Sequence, residues 1–148
     1  MPEVGVAGEL LVGLYLCVFK GDEEIDGVEV GPYADFNGLR EYVVRELEGG
    51  QAGTRFPTLI LHADADGEWT IPQCVELKKE LTEIRKLMSG RPAVPFVSDW
   101  QKGVAKSVGL VPKDALESYI DVDGEFVIDR MQHLVDVALQ HQLPILFQ

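Results

Sequence analysis

The chain has 148 residues, of which 46% are hydrophobic and 26% are charged, a composition typical of one folded globular domain and unlike that of a disordered chain. Its 25 acidic and 13 basic residues give a formal net charge of −12, which argues against binding to the phosphate backbone of nucleic acids or to anionic lipid. The charge leaves open a basic protein partner, a cationic ligand, or a contribution to solubility alone.

The first apolar segment, residues 10–19, predicts a buried strand, because tyrosine, valine, cysteine and phenylalanine favour strands. About twenty residues are needed to span a bilayer, so this segment is too short for a membrane helix. No lysine or arginine precedes it, which is unlike a secretory signal. We therefore expect a cytoplasmic protein without membrane attachment.

The two cysteines, Cys17 and Cys74, each lie in an apolar stretch. Free cysteine commonly behaves as a small buried hydrophobic residue, so we expect two buried thiols rather than a disulfide. The sequence contains neither a Cys-x-x-Cys pair nor the spacing of zinc ligands.

Turn dipeptides and apolar spacing predict the elements of the first half. Asp26-Gly27 is a tight-turn dipeptide, so we expect a turn there and a short strand over residues 28–30. A helix is predicted from near Asp35 to Gly49-Gly50, because five apolar residues recur at helical spacing: Phe36, Leu39, Tyr42, Val43 and Leu47. Residues 56–62 predict a buried strand, and a polar turn follows it.

The best-defined helix begins after Thr70, where Thr70 and Gln73 form the pattern of a capping box. Gly90 marks its end. Its apolar face consists of Cys74, Leu77, Leu81, Ile84 and Met88. Residues 91–97 contain two prolines and predict an extended connection.

The remaining elements complete an α+β fold. A short helix through Val108 is expected to turn Trp100, Val104 and Val108 inward. Residues 118–122 predict a short strand and residues 143–148 a terminal one. Between them, a last helix over about 125–140 is expected to bury Val127, Met131, Leu134, Val135 and Ala138. The prediction is a single α+β domain with a mixed β-sheet packed with about four helices.

One acidic pattern occurs twice, as Asp-x-Asp-Gly-Glu-aromatic over residues 64–69 and 121–126. We favour turn chemistry, in which aspartate binds backbone amides and glycine supplies the unusual dihedral, over a paired acidic site. A calcium loop of the EF-hand type requires glycine at its sixth position, where Trp69 and Phe126 stand instead, so neither copy fits that motif.

The sequence offers little for catalysis. Phosphate-binding glycine loops and the Gly-x-Ser-x-Gly nucleophile motif are absent, and we predict no catalytic residues, no metal ligands and no cofactor. The enzymatic alternative is a small metal-assisted hydrolase built on His62, Asp64 and Asp66 at a predicted strand end. A histidine in such a place is more often a satisfied structural residue. An accessory domain that binds a small molecule or forms oligomers is a third hypothesis, for which no residue speaks directly.

The densest acidic run consists of Asp22, Glu23, Glu24, Asp26 and Glu29. It is either a solvated surface or a docking face for a basic protein, and Tyr33 beside it supplies an aromatic anchor of the kind that interfaces use.

Several segments together resemble the immunity protein 70 family of bacterial polymorphic toxin systems: residues 14–19, 21–31, 56–62, 66–69 and 143–148. The resemblance covers most of the chain from about residue 14, so residues 1–13 are expected to be an N-terminal extension and residues 14–148 one domain. It implies a stoichiometric inhibitor of a cognate toxin rather than an enzyme. It indicates neither the oligomeric state nor the residues that bind.

We predict that such a toxin, expected to be basic, docks on the acidic run with Tyr33, extended by Asp64, Asp66, Glu68 and Trp69. The acidic run and the segment that contains Asp64, Asp66, Glu68 and Trp69 are both expected to be turns. Trp69 could equally pack on the core, since it precedes a helix as the apolar residue of a hydrophobic staple does.

Overall fold

The structure is a computed structural model that describes residues 13–63 and 65–148. Its four strands form one sheet in the order β2-β1-β4-β3, and each neighbouring pair is antiparallel. The strands are β1 Leu14–Lys20, β2 Glu23–Gly31, β3 Glu68–Trp69 and β4 Ile145–Phe147. The α+β class is confirmed, although the sheet of the described residues is wholly antiparallel rather than mixed.

Within the described residues, five α-helices accompany the sheet, one more than the approximate number predicted. They are α1 Tyr33–Tyr42, α2 Pro57–Ile60, α3 Ile71–Met88, α4 Asp99–Val108 and α5 Val127–His141. Helix α1 continues into a π-helical turn, Val43–Leu47, and a short 3₁₀ turn occupies Leu116–Ser118. None of the described helices is long and apolar enough to cross a membrane.

The core lies between one face of the sheet and the apolar faces of α1, α3 and α5. On β1, alternation places Leu14, Leu16 and Val18 in this core, all fully buried. The apolar stripes predicted for the three helices are buried as expected. Local periodicity was sufficient here, because each helix buries only one face.

The β1–β2 hairpin turns at Gly21-Asp22, where Gly21 has φ of +63°. The turn predicted at Asp26-Gly27 is therefore wrong: both residues lie inside β2, opposite Val18 and Cys17. Glycine is required at 27 for another reason, since a Cβ there would come within 2.1 Å of the hydroxyl oxygen of Tyr15.

The strand predicted over residues 56–62 is also wrong, because its first residues form α2. Pro57 stands in the first turn, where its missing N–H costs nothing. The amides of Thr58 and Leu59 are bound by the buried carboxylate of Glu80, at 3.0 Å each. These backbone amides thus donate to a carboxylate of a distant helix, and not to the carbonyl oxygens of a neighbouring strand as the apolar pattern suggested.

Two smaller predictions fail in the second half. Residues 118–122 form no strand, and their only ladder contact is a single bridge between Ile120 and Phe126. Helix α4 buries Gln101 and Ala105, whereas Val108 is 53% exposed. Trp100 and Val104 are half-buried.

The capping box and the free thiols are confirmed. The Thr70 hydroxyl accepts from the Gln73 amide, and the Gln73 side chain accepts from the Thr70 amide. Cys17 and Cys74 are free and buried, and burial raises the pKa of each thiol to about 11. Both therefore remain protonated at neutral pH.

Candidate partner-binding face

The predicted acidic run lies on an edge strand rather than on a turn. Asp22 and Glu23 stand at the hairpin tip, and Glu24 and Glu29 follow on β2; all four are exposed. In the described part of the chain, the side chains of Asp22, Glu23 and Glu29 form no ion pair. These three carboxylates are therefore available to a partner.

Asp26 differs from its neighbours because it faces the helices. It stands opposite Val18, on the core side of the sheet. One carboxylate oxygen accepts from the Gly27 amide at 2.9 Å and lies 3.5 Å from Arg130, and the other lies 3.4 Å from His133. Asp26 thus ties β2 to α5 through its carboxylate, and its role in docking stays a prediction.

Arg130 makes most of the polar contacts between α5 and β2. Its Nη2 donates to the Gly27 carbonyl at 2.9 Å, and its Nε lies 3.2 Å from Glu125 and 4.0 Å from Asp121. Asp121 is buried, and burial raises the pKa of its carboxyl although the amides of Asp123 and Glu125 donate to it. These amide bonds confirm turn chemistry for the second acidic pattern.

The first acidic pattern is only partly described, since Asp64 lies outside the described residues. Asp66 and Glu68 are exposed. Trp69 is 1% exposed, and its ring nitrogen donates to the Thr58 carbonyl at 3.0 Å. Of the two roles considered for Trp69, core packing is the one observed, so its ring is not offered to a partner. Tyr33 is half-buried against the core.

His62 stabilises the edge of the sheet. Its ring stacks on Phe147 at a centroid distance of 4.1 Å. Its Nδ1 lies 2.7 Å from the Ala63 carbonyl oxygen and its Nε2 lies 2.8 Å from that of Glu68. Since both ring nitrogens face carbonyl oxygens, neither directs a lone pair at a metal.

The hydrolase alternative is accordingly not supported. Among residues 13–63 and 65–148, no group of three or more histidine, cysteine, aspartate or glutamate side chains is placed to hold a metal ion. His62, the most site-like histidine of the sequence, is engaged with the backbone carbonyl oxygens of Ala63 and Glu68.

The strand register brings acids from both edges of the sheet to one face. Glu24 pairs with Phe19 and Glu29 with Tyr15, while Glu68 pairs with Leu146. Directly opposed residues of an antiparallel pair point to the same side, and Leu146 is in turn opposite Cys17. We call this side, opposite the core, the outer face: Tyr15, Phe19 and Leu146, with Glu24, Glu29 and Glu68.

Tyr15 is held flat on the outer face. Its hydroxyl donates to Glu24 Oε1 at 2.6 Å, and its ring occupies the space that a side chain at Gly27 would need. Burial, together with the bond to Glu24, raises the pKa of the hydroxyl. Sequence reasoning missed Tyr15, Phe19 and Leu146, because β1 and β4 carry apolar residues on both sides, so that neither pattern marks the side away from the core.

The fold and the outer face define a small acidic α+β domain whose helices cover one side of an antiparallel sheet. The chain matches the family described as Immunity protein 70 over residues 14–147, and it belongs to that family. The resemblance drawn from the sequence is thereby confirmed, and membership supports an immunity role in a toxin system. No curated protein and no solved structure matches the chain significantly.

Proposed function

We propose that the chain is a cytoplasmic, non-enzymatic immunity protein that binds a cognate toxin and neutralises it by occlusion through its acidic surface. The observation that carries the proposal is membership in the immunity protein 70 family, which implies a toxin partner. The exposed acids of the hairpin tip and of the outer face supply the surface: Asp22, Glu23, Glu24, Glu29 and Glu68.

Charge supports a basic partner. The chain carries a net charge of −12, and exposed carboxylates of one sign speed the encounter with a surface of the opposite sign. Such steering acts mainly on the association rate and weakens as salt screens it, over a Debye length of about 8 Å at physiological ionic strength. An inhibitor that must reach its toxin before damage occurs benefits from fast association.

The test neutralises only the unpaired acids. We expect Asp22→Asn, Glu23→Gln and Glu29→Gln together to slow association with the candidate toxin, taken as the product of the adjacent gene, and to flatten the salt dependence of that association. Asp26 and Glu24 are kept because Asp26 ties β2 to α5 and Glu24 accepts from Tyr15. The readouts are association rate against salt and growth rescue of cells that express the toxin.

A matched control changes the net charge equally at other places. Glu41→Gln, Glu76→Gln and Asp99→Asn remove three exposed acids from α1, α3 and α4. We expect this variant to bind and rescue as the parent does. If the parent neither binds the toxin nor rescues growth, the immunity proposal fails; if both triple variants behave alike, the acidic surface has no part in docking.

A further inference from the structure

We propose that Tyr15, Phe19 and Leu146 form an apolar anchor site at the centre of the outer face, which receives an apolar side chain from a basic segment of the toxin. This inference rests on the proposed function and adds the location and chemistry of the contact. It moves the centre of the interface from the acidic run of β2 to the middle of the sheet.

The anchor site is already assembled in the free protein. Tyr15 is fixed by its bond to Glu24 and by contact with Gly27. Phe19 and Leu146 are half-buried on the same side of the sheet. Cys17 lies beneath them, fully buried, with its sulfur 3.9 Å from the Leu146 carbonyl oxygen. The Tyr15 ring therefore has little side-chain freedom left to lose on binding, which favours affinity.

The acids on either side specify what docks. Glu24 and Glu29 belong to one edge strand and Glu68 to the other, three strand spacings away. At about 4.8 Å per strand this separation is about 14 Å, close to the 10–12 Å diameter of a helix with its side chains. A toxin helix with an apolar stripe between lysine or arginine residues therefore matches both the charge and the width of the face.

Other occupants fit less well. Strand addition at β2 is opposed because the Gly27 carbonyl accepts from Arg130 and the Glu29 carbonyl from the Val122 amide. At β3, the Glu68 carbonyl faces the ring of His62. A second copy of this chain would place the same carboxylates against each other, which is repulsive.

The test compares two variants. One carries a new positive charge at the centre of the outer face, and the other carries the same charge at a distant exposed position. Leu146→Lys puts an ammonium where a basic, apolar segment would dock. Val97→Lys makes the matched change in the connection before α4, where Val97 is 87% exposed. The probe is the candidate toxin used above, the product of the adjacent gene, made inactive by mutation, and the readout is Kd with its association and dissociation rates.

We expect Leu146→Lys to weaken binding at least tenfold, chiefly through faster dissociation, and Val97→Lys to stay within twofold of the parent. Leu146→Ala, which adds no charge, is expected to weaken binding about fivefold, and its thermal midpoint checks that the sheet is intact. If Leu146→Lys and Leu146→Ala bind as the parent does, the anchor site is wrong while the immunity proposal stands. If the parent does not bind, the immunity proposal itself has failed.

Discussion

Glu48 and Glu80 bind the backbone of one segment from two sides. Glu48, just after the π-helical turn, accepts from the amides of Gly53, Arg55 and Phe56 at 2.8–3.0 Å. Glu80, on α3, accepts from those of Thr58 and Leu59 at 3.0 Å. Both carboxylates are buried. Together the two carboxylates accept hydrogen bonds from backbone amides that a neighbouring strand would otherwise bind, and they fix α2 against the core.

We therefore expect Glu80→Gln to destabilise the fold by about 1–3 kcal/mol, because a glutamine would turn an N–H group toward backbone N–H donors. Urea unfolding measures this as a lower midpoint with unchanged slope. Glu76→Gln on the same helix is the control; Glu76 is exposed and, among the described residues, its carboxylate pairs only with Lys79, so its loss should cost less than about 0.5 kcal/mol. Equal midpoints for the two variants would contradict this role for Glu80.

A second prediction concerns Gly27. A Cβ at this position would lie 2.1 Å from the Tyr15 hydroxyl oxygen and 2.6 Å from its Cζ. Gly27→Ala must push the ring aside and break its bond to Glu24, so we expect a loss of about 1–3 kcal/mol in unfolding free energy. Gly38→Ala in α1 has open space around it and should stabilise by about 0.5–1 kcal/mol. A Gly27→Ala variant as stable as Gly38→Ala would show that Tyr15 does not occupy this place.

These residues also show what could and could not be predicted from the sequence. Helices α3 and α5 were predictable because each depends on a local apolar period. The identity of residues 56–62 was not, since it depends on Glu48 and Glu80, which no pattern within the segment reveals. The Asp26-Gly27 pair resembles a turn, yet Gly27 is needed for a contact with Tyr15 in the neighbouring strand.

The candidate site also has features that could be predicted from the sequence and features that could not. Exposure of Asp22, Glu23 and Glu29 followed from their polarity alone. The pairing of Asp26 did not, because Arg130 lies more than a hundred residues further along the chain. The outer face could have been predicted only with the register of β1 against β4, which pairs the first and the last described strands of the chain.

A third prediction follows from Asp121. Burial raises its pKa in the folded protein above the ordinary aspartate value of about 3.9. The folded state therefore binds this proton more tightly than the unfolded state, so the stability that Asp121 contributes is full below the unfolded pKa. It is lost as pH rises through the folded pKa.

Asp121→Asn removes this titration and keeps an oxygen that can accept from the amides of Asp123 and Glu125. We expect the variant to gain stability relative to the parent as pH rises from 3 to 7, measured as the difference between their urea midpoints at each pH. Asp123→Asn should move the difference in the same direction but by less, because the neighbouring Asp123 carboxylate also raises the pKa of Asp121. A difference that moves in the opposite direction would mean that Arg130 outweighs the cost of burial.

The last prediction separates core packing from docking at Trp69. Its ring is almost fully buried, contacts Phe147 edge-on at 4.7 Å between centroids, and donates to the Thr58 carbonyl. Trp69→Phe leaves that carbonyl without its donor and leaves a void, so we expect a loss of about 1–3 kcal/mol in unfolding free energy. Because the ring points into the core, toxin association by the folded fraction should match that of the parent. A variant with parental stability and a tenfold weaker Kd would instead place Trp69 in the interface, and would require β3 to open when the toxin binds.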